Sequence, residues 1–457
     1  MVASSIFDSS KNGNTQNHDP HPVLSGKEAF HAVFSEHLDE LIDSHPRKVV
    51  IKEVNKMLDC GNPKNGTMYI CPDCGTSAFV PFTCKSRICP SCGNLYNMQR
   101  CTSIGERILN VQHRHWVFTV PQCLRHYFES NWFLLNVLFD AASETVRTVI
   151  KQINPYFDVE PGMVLVLHTF GRANNFVPHV HGIVTDGGLN KYDRWWNLQF
   201  LNFDNVRLTY QDILLQKMSV YLGPSFAAEA DELKKRYPNG FVVSAPDPNK
   251  PKVSNTSTEA NEIDDFDNTI ELTNKDNIKR LIKYTARYIG RPAFACSRLD
   301  SYDGQYVTYH YTSHLTNETE SRTVSALEFM KLITQHIPES NFRMVRYFGI
   351  YNRSNKECMD RLDTALNDKA VSYLYSQAGH KKRAFFSHWR GAKILRFNID
   401  PLKCSCCSAE MEPVYVKFRN KYFGTIIQPA SSHPKYQSPP PDIDISGARA
   451  DSQHICA

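Results

Sequence analysis

The sequence predicts an α+β fold, an antiparallel sheet flanked by helices and preceded by a small cysteine-rich zinc ribbon. Three observations lead there. Strand patterns are broken by helical ones without strict alternation, which disfavours a parallel βαβ sheet. Two apolar runs, "GMVLVLHTF" and "FVPHVHGIVTDGG", flank a tight connection around Ala173-Asn174-Asn175, as in a hairpin. Seven of the fourteen cysteines fall between Cys60 and Cys101 and mark off a module.

At 457 residues the chain is long enough for two or three domains with their own cores. It is 41% hydrophobic and 22% charged, an ordinary globular composition. No uninterrupted apolar run is long enough to span a bilayer. The opening "MVASSIFDSSKNGNTQNHDPHP" lacks the basic-then-apolar form of a signal peptide, so the chain is expected to be intracellular. Cysteines in such a chain argue for metal binding before disulfides. The net charge of +5 is too small to establish a nucleic-acid partner, and local clusters carry more weight.

Taken in order, residues 1–25 are polar and read as a disordered arm. A helical apolar period begins at "KEAFHAVFSEHLDELI" and leads into the cysteines, giving a helical lead-in and zinc-binding domain over 26–110. Residues 111–350 form the central domain. It opens with the strand "HRHWVFTVPQ", stopped by Pro121, and continues through a long apolar helix into the hairpin. Within it, 245–268 is Pro-, Ser-, Asn- and acid-rich and reads as a loop. Beyond lies a well-punctuated helix, "NKDNIKRLIKYTARYIGRP", with Asn274 or Asp276 to cap it, Gly290 to end it and Pro292 to block continuation. Short strands follow up to "FRMVRYFGIYN". Residues 351–457 form a basic C-terminal region with a small cysteine group and a Pro-rich, disordered tail.

The cysteine module reads "CPDCGTSAFVPFTCKSRICPSCG". Cys71-x2-Cys74 and Cys89-x2-Cys92 are two knuckles fourteen residues apart, the spacing of a four-cysteine zinc ribbon. A Pro after each first Cys and a Gly after each second suit the tight turn that points backbone N–H groups at sulfur. Cys60 and Cys84 are left over. Cys404 and Cys407 make one further knuckle without an obvious partner pair. Lys85, Arg87 and Arg100 around the module suit either DNA contact or a solvated face.

His179 and His181 lie one residue apart in a core strand, so alternation puts both imidazoles on one face. Tyr284 and Tyr288 are spaced i,i+4 on the later helix, so both hydroxyls emerge from one side. Lys279, Arg280, Lys283, Arg287 and Arg291 surround them, and cations lower the cost of forming phenolate and attract phosphate. A divalent cation held by paired histidines can polarise a phosphodiester oxygen, and a tyrosine can then attack phosphorus. The 5′-phosphotyrosine so formed conserves the bond energy. Consistently, no G-x4-G-K-[ST] phosphate loop occurs.

With the zinc module ahead of Pro178-His179-Val180-His181, and Tyr284-x3-Tyr288 behind, the chain resembles the two-tyrosine HUH transposases of the insertion-sequence-91 family. These are relatives of rolling-circle initiators and plasmid relaxases. The resemblance runs from the zinc module through "HTFGRANNFVPHVHGIVTDGG" and "YTARYIGRP" to "HIPESNFRMVRYFGIYNR". One departure is Val177, where many members carry another His. The resemblance implies an HUH endonuclease-type sheet and a Mg²⁺ or Mn²⁺ ion on His179 and His181. The family pattern calls for a third ligand as well; positions 280, 281, 287 and 291 offer none, and His168, which hairpin pairing brings opposite 179, is the better candidate. It further implies alternating nucleophiles at Tyr284 and Tyr288, structural zinc, and single-stranded element ends and target DNA as partners. Host helicase and replication proteins, and a cytoplasmic, nucleoid-associated location, are implied too. Two other readings stay open: a replication initiator or relaxase of the same chemistry, and a zinc-dependent DNA-binding regulator with an inactive core.

Overall fold

The computed structural model describes residues 23–61, 65–86, 88–105, 107–198, 200–245, 293–313, 318–374, 390–391, 393–394, 400–420 and 424–429. Residues 1–22 of the expected N-terminal arm, 246–268 of the expected loop, the 276–289 helix and the C-terminal tail lie outside these residues.

Helices α1 (Gly26–Glu36), α2 (Leu38–Asp43) and α3 (Lys48–Leu58) come first, then a hairpin of β1 (Gly66–Ile70) and β2 (Ser77–Pro81), and helix α4 (Pro90–Gly105). Strand β3 (His113–Thr119) is followed by α5 (Arg125–Ser130) and α6 (Leu135–Ile153). The long hairpin of β4 (Gly162–Phe170) and β5 (Phe176–Thr185) turns through Asn174, whose φ of 65° is the left-handed conformation that asparagine tolerates. A short ribbon of β6 (Gly187–Leu189) and β7 (Trp195–Asn197) leads to α7 (Phe203–Leu222), α8 (Pro224–Arg236) and β8 (Val243–Ser244). The Asn202 side chain caps α7 by accepting from the N–H groups of Asp204 and Asn205, and Pro224 starts α8 where no intrahelical N–H is needed. After residue 293 come β9 (Leu299–Tyr302), β10 (Tyr306–Thr312), β11 (Thr319–Ser325), α9 (Ala326–Thr334), β12 (Val345–Gly349), α10 (Lys356–Asn367), β13 (Glu412–Asn420) and β14 (Gly424–Pro429).

The fold is α+β, and its central sheet is antiparallel throughout, in the order β12-β4-β5-β3-β8. Alternation sorts its faces. Trp116, Phe118, Leu165, Leu167, Val180 and Val184 pack against the apolar sides of α6, α7 and α8. Val164, Val166 and Ile183 turn the other way, onto the end of α4 and onto α10. Gly182 pairs with Trp116, and a Cβ there would come within 2.9 Å of Leu165, so the glycine makes room for the first face. Pro178 sits in a central strand, where the missing N–H would normally break a ladder. Here it falls beyond the last β3–β5 pair, Thr119 with His179, and inside a bulge of β5, where Val177 and Pro178 together oppose Thr169. No ladder bond is lost.

A second core joins α1, α3 and α9 to the sheet β11-β10-β9, with Phe30, Phe34, Phe294 and Phe329 interlocked. The helical lead-in thus packs on residues 294–337, far along the chain, and Cys89 and Cys92 belong to this core. Arg47 ties the two cores: it pairs with Glu339 at 2.7 Å, donates to the Ile337 carbonyl and lies over the Trp132 ring. The third sheet, β14-β13-β1-β2, sets the first hairpin of the chain beside its last one. No described helix is long and apolar enough to cross a membrane.

Candidate metal centres

Among the described residues three groups of side chains bring potential metal ligands together: His168/His179/His181, Cys60/Cys84/Cys89/Cys92 and Cys71/Cys74/Cys404/Cys407. Within each group the ligand atoms lie within 4.8 Å of one another.

The histidines sit on the sheet face opposite α6, at the turn end of the β4–β5 hairpin. His168 pairs directly with His179, and His181 pairs with Val166 on one side and Val117 on the other. All three are buried. Burial holds His179 and His181 well below the ordinary imidazole pKa, with the charge of His168 acting the same way, so both are neutral and able to ligate. The hydrogen-bond network assigns the tautomers. His179 Nδ1 lies 2.7 Å from the Val177 carbonyl, which can only accept, so the proton is on Nδ1 and the Nε2 lone pair faces inward. His181 Nε2 stands 3.1 Å from His179 Nε2, and His181 Nδ1 lies 3.0 Å from Nε2 of a fourth, half-buried histidine, His115. A cation at the cluster would be held by His181 through Nε2, leaving Nδ1–H to donate to His115. With none, His181 carries its proton on Nε2 and donates it to His179 Nε2, while its Nδ1 accepts from His115 Nε2–H. Sequence reasoning missed His115, although "HRH" at 113–115 obeys the alternation that was applied to His179 and His181.

The cysteines correct the sequence reading. Cys71, Cys74, Cys89 and Cys92 do not come together as one ribbon site; each knuckle joins a different pair. Cys89 and Cys92, at the start of α4, meet Cys60 and Cys84, and Cys60 Sγ lies 3.4 Å from Cys92 Sγ. Cys84 also accepts the Ser86 N–H at 3.4 Å. The Cys84 thiol pulls Cys60 toward the thiolate, and Cys60 in turn pushes Cys84 up, a shared-proton arrangement that a divalent cation replaces by deprotonating the sulfurs. Cys71 and Cys74, in the turn between β1 and β2, meet Cys404 and Cys407 at the far end of the chain. None of these thiols is disulfide-bonded. A tetrahedral tetrathiolate with Zn–S bonds of about 2.3 Å has sulfurs roughly 3.8 Å apart, so both clusters suit zinc.

The structure places the other sequence candidates as follows. Tyr284, Tyr288, Lys279, Arg280, Lys283, Arg287, Arg291 and Arg87 lie outside the described residues. Arg100 donates to the Tyr96 hydroxyl at 2.9 Å and lies over its ring. The residues that flank 246–292 are described. The Ala245 carbonyl accepts from Arg114, which forms a buried pair with Asp186 at 2.9 Å. The Ala293 carbonyl accepts from Asn174 Nδ2 at 3.1 Å, at the tip of the hairpin that carries His168 and His179.

Residues 162–358 match a family model described as "Putative transposase", and residues 33–120 match one described as "Transposase zinc-binding domain". The chain is 29% identical, over 371 residues, to the "Transposase for insertion sequence element IS801" of Pseudomonas savastanoi pv. phaseolicola, covering 80% of this chain and 83% of that protein. It is 22% identical, over 308 residues, to the "Putative transposase y4qJ" of Sinorhizobium fredii, covering 64% of this chain and 71% of that one. No solved structure matches the chain.

Proposed function

We propose, for a chain that belongs to the insertion-sequence-91 transposases, that it cuts and rejoins single DNA strands through 5′-phosphotyrosine links made beside His168, His179 and His181. The observation that carries this reading is the convergence of three buried imidazoles on one sheet face, in the stretch matched to the transposase family. The donor set fits a divalent transition ion. Imidazole suits Mn²⁺ better than Mg²⁺, which prefers oxygen ligands and keeps its waters. A bound ion would draw charge from a non-bridging oxygen of the scissile phosphate.

The residues of the chain do the rest. Tyr284 or Tyr288 supplies the attacking Oη: an Oη–P bond forms, the P–O3′ bond breaks, the phenol proton is lost to solvent and the departing 3′ oxygen takes one up. One phosphodiester is exchanged for another, so resealing needs no ATP, and the second tyrosine can hold the second strand. Lys279, Arg280, Lys283, Arg287 and Arg291 would bind strand phosphates. The anchoring of Ala245 by Arg114 of β3, and of Ala293 by Asn174 in the β4–β5 turn, favours this reading, because it fixes both flanks of the tyrosine interval to the sheet that carries the histidine cluster. The cysteine module would help grip the element ends, with host helicase and replication proteins extending the strand.

The test is incubation of the full chain with single strands spanning the ends of its own element, labelled at 5′ or 3′, and Mn²⁺. An adduct carried by the fragment downstream of the break, resistant to denaturation, is expected. Attachment through the 3′ side would overturn the reading.

A further inference from the structure

We propose that Cys71, Cys74, Cys404 and Cys407 bind a second structural zinc, which fastens the C-terminal hairpin to the N-terminal cysteine module. Cys404 and Cys407 lie outside both stretches matched to families, whereas Cys60, Cys84, Cys89 and Cys92 all fall within 33–120. The second site therefore needs a part of the chain that the zinc-binding family model does not contain.

The two knuckles are the same backbone unit built twice. In the first, Cys71 N–H donates to the Thr76 carbonyl at 2.8 Å and Gly75 N–H to the Cys71 carbonyl at 2.9 Å. In the second, Cys404 N–H donates to the Ala409 carbonyl at 2.9 Å and Ser408 N–H to the Cys404 carbonyl at 3.1 Å. The residue after each second cysteine is left-handed, Gly75 at φ 74° and Ser408 at φ 64°. A serine held at positive φ indicates that the turn is imposed by something stronger than its own preference. The sulfurs interleave across the pair: Cys71 lies 3.4 Å from Cys407, and Cys74 lies 3.6 Å from both Cys404 and Cys407. Donors for thiolate charge are in place. The Thr76 hydroxyl lies 3.1 Å from Cys74 Sγ and the Cys406 N–H 3.4 Å from Cys404 Sγ.

Packing alone is a thin support for this sheet. Its core consists of Tyr69, Val80 and Met411 with two of the cysteines, Cys71 and Cys404. So small a core commonly needs a metal or another cross-link to hold. The ladder between β1 and β13 brings the knuckles together, and the metal would lock it.

The proposal is independent of the strand-transfer reading, and its measurements do not use DNA. Native mass spectrometry of the full chain should give close to two zinc ions. Cys404→Ser/Cys407→Ser should retain one, and Cys60→Ser/Cys84→Ser should retain the other. Wild-type protein needs no variant for a second readout, the rate of thiol alkylation with and without chelator. Cys74, Cys406 and Cys407 are all exposed, but Cys406 is not in the cluster. Cys74 and Cys407 should therefore react at least about tenfold more slowly than Cys406 until zinc is stripped. One zinc per chain, iron in place of zinc, or equal alkylation of the three cysteines would overturn the assignment.

Discussion

His168 stands directly across the β4–β5 hairpin from His179, and their rings meet edge to face at 5.4 Å. The backbone ladder therefore sets their separation. If they share an ion with His181, replacing one of them leaves the hairpin intact and removes a ligand.

His179→Ala and His181→Ala are expected to lower the rate of adduct formation by about a thousandfold, the scale of several kcal/mol of lost charge stabilisation, while binding of element ends changes little. His168→Ala should do the same more weakly, because water can fill the third position. Single-turnover cleavage and a gel-shift titration on the same samples separate the effects. Wild-type cleavage by the His179 variant at saturating Mn²⁺ would remove that residue from the site.

His115 meets the cluster at His181, with its Nε2 3.0 Å from His181 Nδ1 and the two rings stacked 5.2 Å apart. His115→Phe removes the acceptor that fixes the His181 tautomer and should weaken Mn²⁺ binding by roughly 10- to 100-fold. His115→Gln, which keeps an acceptor, should recover part of the loss. The measurement is an EPR titration of Mn²⁺, and equal affinity for wild type and the Phe variant would mean that His115 only packs.

Tyr284→Phe/Tyr288→Phe should abolish the covalent adduct, since only the attacking oxygens are lost. Each single variant should still form some adduct yet fail to complete strand transfer. Peptide mapping of the wild-type adduct decides the matter: a phosphotyrosine at any other residue ends the assignment.

Two buried histidines away from the metal cluster give the fold an acid limit. Burial lowers both His113 and His336 from 6.5 to about 4. His113 lies between the Val111 carbonyl and the Tyr351 hydroxyl, and His336 between Thr169 and the Asn174 carbonyl, with Arg47 as the nearby positive charge. Between pH 6.5 and 4 the unfolded chain binds more protons than the folded one, so stability is complete above 6.5 and falls as pH drops through that window. The loss is on the order of 3 kcal/mol for each histidine. Urea unfolding at pH 7.5, 6, 5 and 4.5 should show this decline, with His336→Gln flattening part of it. A stability that stays level from pH 7.5 to 4.5 would contradict the shifts.

The hairpin was legible in the sequence because its information is local. A turn at Ala173-Asn174 and period-two alternation fix which side chains share a face, and the same rule applied to "HRH" would have found His115. Cysteine pairing was not legible. A C-x2-C knuckle is the same local unit wherever it occurs, and its partner is chosen by which strands become neighbours. Here β1 takes β2 on one side and β13 on the other, so the second pair of sulfurs arrives from beyond residue 400. The spacing of Cys71, Cys74, Cys89 and Cys92 imitates a self-contained ribbon, and nothing near it in the sequence signals otherwise.

The pairing of Met68 with Tyr415 also sets an order of events during synthesis. At bacterial or eukaryotic elongation rates, β1 leaves the ribosome on the order of tens of seconds before the strand that will lie beside it. Until then the β1–β2 hairpin has an open edge and a thin core, and its two cysteines have no partners from the C-terminal knuckle. A message cut short before residue 412 would yield a chain whose central sheet can form but whose first hairpin never acquires its neighbour. Such a product should be the shorter-lived one in the cell, which would couple the survival of this protein to completion of its reading frame.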